Sequence, residues 1–109
     1  MVKKDRQQSF SEYLDEEKND KIFVRYVFKR DYSEIEEFAV IYLTIVDGKT
    51  QEVVRYDCAE DEAVHVHHFF YTPSKKRYLN KSKSFETLEY FIEMVKKHWL
   101  DYRSKFLEK

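Results

Sequence analysis

The stretch IEEFAVIYLTIVDGKTQEVVRYDCA, residues 35–59, decides the fold. IEEFAVIYLTIV, 35–46, is rich in β-branched and aromatic residues, and from Phe38 onward both alternating sides are apolar. A strand greasy on both sides belongs inside a sheet, covered on both faces. Asp47-Gly48 follows at once. Both central residues of a type I′ turn need positive φ, which Asp and Gly accept readily, so the chain is expected to reverse there. Residues 50–57 then return as the second arm of an antiparallel hairpin.

Upstream, KIFVRYVFKR (21–30) alternates with a period of two, and DYSE (31–34) reads as the turn into the central strand. Downstream, CAEDEA (58–63) reads as a loop and residues 64–71 as another strand. Pro73 breaks it, and KRYL (76–79) adds a short edge strand. Ser84 is placed to cap a helix with Glu86 in its first turn. Leu88, Ile92, Val95, Trp99, Tyr102 and Phe106 then recur at alternating steps of four and three, an apolar stripe widened by Phe91. A helix over 84–107 is nearly 40 Å long at ~1.5 Å per residue. A strand of eight to ten residues spans only ~27–34 Å. The Trp99–Phe106 end therefore either overhangs the sheet, to be covered by a partner subunit or the N-terminal segment, or folds over the sheet edge. Residues 1–20 read as a polar arm or, over 9–20, a short helix capped by Ser9 or Ser11. The expected architecture is one α+β domain over 1–109: an antiparallel meander of four or five strands across 21–80, with the long C-terminal helix on one face.

Composition narrows the class. In 109 residues there is room for one core. The chain is 42% hydrophobic and 17% aromatic, ample for a packed interior. Net charge is −1, so bulk charge favours neither nucleic acid nor membrane, and such partners must be sought in local patches. The single cysteine, Cys58, excludes an internal disulfide and Cys-rich zinc sites and fits a reducing cytoplasm. MVKKDRQQSF lacks the apolar core of a signal peptide, and no stretch reaches the ~18 apolar residues of a membrane span. One Gly and one Pro, with abundant Lys and Glu, lean towards a thermophile-like composition.

The chemistry is concentrated in VRYDCAEDEAVHVHHFFY, 54–71, which holds three of the four histidines. Residues opposite each other in an antiparallel pair share a face. Burying Val54, Tyr56 and Cys58 with Val64, Val66 and Phe70 pairs Val54 with Val66 and Tyr56 with Val64, or shifts that pairing by two. Either register puts Val53, Arg55, Asp57, His65, His67, Phe69 and Tyr71 on the reverse face and His68 on the core side. Three uses of that face compete. His65 and His67 with Asp57 suit a metal ion. Without metal, the two histidines suit acid–base cleavage of RNA, with Arg55 or a lysine on the phosphate and Tyr71 or Tyr56 assisting. Or the group is a solvated or dimer-facing surface. KKRYLNKSK, 75–83, carries five positive charges and no acid around Tyr78, which suits phosphate contact with base stacking.

VVRYDCA, HVHHFFY, KKRYL and the terminal helix resemble a group of small archaeal and bacterial proteins similar to the TumE-type toxins of toxin–antitoxin pairs. The resemblance covers roughly residues 38–107, with matching positions at Arg55, Tyr56, Asp57, His65, His67, Tyr71 and Arg77. It implies a prokaryotic cytoplasmic protein acting on RNA and neutralised by an antitoxin-like partner. The arrangement the sequence favours is metal-free: His65 and His67 as acid–base pair, Asp57 orienting one of them, Arg55, Lys75, Lys76 and Arg77 on phosphate, Tyr71 assisting. The alternative is a non-enzymatic domain that pairs with a second copy through the helix or the uncovered sheet face.

Overall fold

The computed structural model describes residues 3–109, with side chains from Asp5 onward. A short 3-10 turn, Lys3–Arg6, leads into six strands: β1 (Gln7–Tyr13), β2 (Asp20–Phe28), β3 (Ile35–Val46), β4 (Lys49–Ala59), β5 (Glu62–His68) and β6 (Lys75–Tyr78). One helix, α1 (Phe85–Glu108), closes the chain. The strands form one antiparallel sheet in sequence order, β1-β2-β3-β4-β5-β6. Asp47 (φ 52°) and Gly48 (φ 77°) make the expected reversal between β3 and β4.

The count of four or five strands is corrected to six, because the segment read as an arm or helix over 9–20 contributes β1. All seven of its residues are exposed, so no apolar face marks it in the sequence. It is held by its ladder to β2, from Gln7↔Val27 to Tyr13↔Lys21. Arg6 anchors its start, donating to the Phe28 carbonyl at 2.7 Å and to Glu36 Oε1 at 2.8 Å.

One face of the sheet carries the core. Ile22, Val24, Phe38, Val40, Tyr42, Val54, Tyr56 and Val66 pack against Leu88, Phe91, Val95, Tyr102 and Phe106 of α1. Phe91 stacks on Tyr56, with ring centroids 4.4 Å apart, and lies against Phe38. Ser84 caps α1, its side chain accepting from the Thr87 amide. The C-terminal end of α1 does not overhang. Tyr102 bonds to the Tyr56 hydroxyl at 2.9 Å and stacks on Phe70, and Lys109 donates to the Phe69 carbonyl. Among the described residues no helix is long and apolar enough to cross a membrane. The second face of the sheet, away from α1, bears the histidine cluster.

Candidate metal or acid–base centre on the β4–β5 hairpin

The β4–β5 ladder pairs Val54↔His68, Arg55↔His67, Tyr56↔Val66 and Asp57↔His65. This is the register shifted by two from the simplest pairing, and it has the same consequence: Arg55, Asp57, His65 and His67 share the face away from α1. The ladder continues through His65↔Tyr78 and His67↔Lys76, so Tyr78 and Lys76 join that face.

Three donor atoms converge. Asp57 Oδ1 lies 2.7 Å from His65 Nε2 and 3.9 Å from His67 Nε2, and the two imidazole nitrogens are 3.1 Å apart. His65 is 2% exposed, so this contact is shielded from water. Its Nδ1 sits 2.8 Å from the Ala63 carbonyl, an acceptor that fixes the proton on Nδ1. With its proton on Nδ1, His65 presents Nε2 as an acceptor, and a carboxylate oxygen lies 2.7 Å from it. Asp57 Oδ1 is itself buried and receives no hydrogen bond. His67 Nε2–H can donate to His65 Nε2 across 3.1 Å, so the buried Asp57 Oδ1 is the atom left unbonded, and a proton or a metal ion placed between the three atoms would neutralise it.

The surroundings orient the cluster. His67 stacks on Phe69 (5.6 Å, 7°) and meets His65 edge-on. Burial lowers the His67 pKa, against the opposing pull of Asp57, which keeps its imidazole neutral at pH 7. Arg55 donates to Glu52 at 2.7 Å and approaches Asp57 Oδ2 at 3.7 Å. The Glu52 hydrogen bond raises its pKa further. Glu62 Oε1 is 3.4 Å from His65 Nε2, while its Oε2 accepts from Lys76 at 2.8 Å and Tyr78 at 2.9 Å. Those two bonds hold the Glu62 carboxyl below its ordinary pKa.

Not every predicted site residue joins this cluster. Tyr71 follows the end of β5 and packs on His68 and Phe70, with Lys75 over its ring at 4.3 Å. Lys75 pairs with His68, and Arg77 with Val66, so both belong to the helix side. Of the expected phosphate-binding trio only Lys76 reaches the histidine face. Tyr71, Lys75 and Arg77 are therefore corrected out of the centre, because strand alternation and the end of β5 send them elsewhere. His68, on the helix side as expected, is half-buried, and its pKa is lowered by burial and then by Arg77 and Lys105.

Two members were missed. Glu62 sits at the bulged end of the hairpin, where Ala59 pairs with Glu62, so simple alternation from His65 assigns it the wrong side. In the sequence Tyr78 is only an aromatic in a basic run, and the register carried across β6 is what brings it beside His65.

Over residues 1–109 the sequence matches the family described as Domain of unknown function (DUF7718). The chain belongs to that family. Its description names no activity, and the resemblance to TumE-type toxins gains no support from it. No curated protein and no solved structure matches the chain.

Proposed function

We propose that this DUF7718 chain holds one divalent transition-metal ion of the zinc class, bound by Asp57 Oδ1, His65 Nε2 and His67 Nε2. We further propose that the ion hydrolyses an anionic substrate laid across the sheet face away from α1. The observation that carries this is the buried, unbonded Asp57 Oδ1 gathered with His65 Nε2 and His67 Nε2, all three atoms within 4.8 Å of one another. A metal ion at ~2.0–2.2 Å from each donor puts tetrahedral ligands roughly 3.3 Å apart. The three separations of 2.7, 3.1 and 3.9 Å bracket that value. The Ala63 carbonyl supplies the acceptor for the far ring nitrogen that metal-bound histidines usually have. Three protein ligands leave a position for water, which zinc activates at a pKa of about 7. Glu62, whose Oε1 lies 3.4 Å from His65 Nε2, would be the nearby base, and Arg55 and Lys76, next to Asp57 and Glu62, would supply positive charge for an anion.

The metal takes precedence over the metal-free pair expected from the sequence because it satisfies all three donors at once, and a proton satisfies only two. One observation favours the second use. The 2.7 Å His65–Asp57 contact also suits an imidazolium–carboxylate pair, with neutral His67 as general base for RNA cleavage. That would be the chemistry a toxin-like ribonuclease needs.

Calorimetric titration of chelator-treated protein with zinc tests the proposal. One ion per chain is expected, lost in Asp57→Asn and in His67→Ala while far-UV circular dichroism is unchanged. Wild-type protein that takes up no zinc would remove the metal centre. Cleavage of a labelled oligoribonucleotide that persists in excess EDTA would instead establish the metal-free pair.

A further inference from the structure

The helix side of β6 carries a separate feature. An open groove of about 590 Å³ runs between β6, the turn after β5 and the last turns of α1. Lys75, Arg77 and Lys105 line it with Tyr71 and Tyr102, Lys76 also reaches it although its ammonium pairs with Glu62, and no carboxylate lines it. Lys105 has a partner, Asp101 at 3.2 Å, but both side chains are more than half exposed and the pair is weak. Among the described residues neither Lys75 nor Arg77 has a carboxylate partner. A chain of net charge −1 has therefore gathered uncompensated cations in one place.

The aromatic residues are arranged with the cations. Tyr71 is 41% exposed with Lys75 over its ring, and Tyr78, on the other side of the strand, is 59% exposed with Lys76 over its ring at 5.1 Å. Each face of β6 thus offers an accessible ring beside an ammonium group. All four residues of β6 are exposed, so nothing among the described residues separates the two faces at the sheet edge.

We infer that this groove binds a single-stranded polynucleotide, its phosphates on Lys75, Arg77 and Lys105 and a base stacked on Tyr71. Phosphates recur along such a strand as the cations do along the groove, and unpaired bases present the flat faces that exposed tyrosines accept. An acidic peptide would satisfy the cations and leave the rings without a partner. A duplex hides its base faces. A strand that rounds the β6 edge passes from this groove to Lys76, Tyr78 and the histidine centre, which assigns the anionic substrate of the proposed hydrolysis to single-stranded nucleic acid. That last step rests on the metal proposal; the binding does not.

Fluorescence anisotropy with a labelled twelve-nucleotide RNA, in EDTA, tests the binding. Neutralising three phosphates gives a salt slope of roughly −2, so raising salt from 50 to 200 mM should weaken binding about twentyfold. Lys75→Glu/Arg77→Glu should abolish binding while zinc stoichiometry stays at one. Tyr71→Leu should weaken it about fivefold or more. Asp57→Asn should bind RNA as wild type does, which separates failure of the groove from failure of the metal centre. Full binding by the Lys75→Glu/Arg77→Glu variant, or equal affinity for a polyglutamate peptide or for duplex RNA, would overturn the inference.

Discussion

Replacing Asp57 by Asn should change stability in opposite directions with and without metal. In metal-free protein above neutral pH, the substitution exchanges a carboxylate for an amide of the same shape. The amide removes the unbonded buried charge of Oδ1 and can join the hydrogen bonding at His65 Nε2, 2.7 Å away, a gain of ~0.5–1.5 kcal/mol. The loss on the other side is the 3.7 Å approach to a one-third-exposed Arg55, which is worth ~0–1 kcal/mol. The variant should therefore be as stable as wild type in chelator, or more stable by about 1 kcal/mol. Zinc at a hundred times its dissociation constant stabilises wild type by ~2.7 kcal/mol and the variant by close to nothing. At ~4 °C per kcal/mol for a domain near this size, wild type should gain about 10 °C in melting temperature and overtake the variant. Thermal melts by circular dichroism at pH 7.5, in EDTA and in zinc, measure both differences. If His65 is instead an imidazolium, the substitution strands a buried charge and costs ~3–5 kcal/mol in EDTA. That loss, with no zinc response in wild type, would refute the metal assignment and its electrostatic reasoning.

Tyr42→Phe should cost ~1.5–3 kcal/mol in urea denaturation, because its hydroxyl donates at 2.6 Å to Asp20, a buried carboxylate shared with Thr44. A change below ~0.5 kcal/mol would mean that Thr44 and the nearby Arg103 satisfy Asp20 without Tyr42. Burial pushes the Cys58 thiol from an ordinary 9.0 up to about 11. The folded state thus favours the neutral thiol, and its contribution is complete below pH 9 and lost as pH rises through 11. Wild type should accordingly lose stability relative to Cys58→Ala across that interval, and parallel pH profiles would count against a buried thiol. Gly48→Ala should cost ~1 kcal/mol from φ alone, since nothing lies within 4 Å of an added Cβ. A cost several times larger would show that the turn is under further constraint.

Local patterns made most of the architecture legible. Asp47-Gly48 marked one reversal, the doubly apolar run of β3 marked the interior strand, and the stripe from Leu88 to Phe106 marked α1. β1 was illegible because QQSFSEY is exposed throughout and held by backbone bonding to β2. The shared face of Arg55, Asp57, His65 and His67 followed from burying Tyr56 and Val66, with no appeal to function. The rest of the centre lay where alternation breaks down. Glu62 sits at a bulge, Tyr78 required a register carried across an optional edge strand, and Tyr71 lies beyond the last paired residue of β5. The preference for a metal ion over a proton rests on the convergence of three donor atoms, Asp57 Oδ1, His65 Nε2 and His67 Nε2, which no spacing rule announces.

Asp57, His65 and His67 all belong to one ribbon of consecutive strands. Bringing its arms together closes only a short segment, which is entropically cheap compared with docking α1 from the far end of the sequence. Uptake of the proposed ion would need local zippering and little else, so the centre could assemble early on the folding route and act as a clasp from which the remaining strands register.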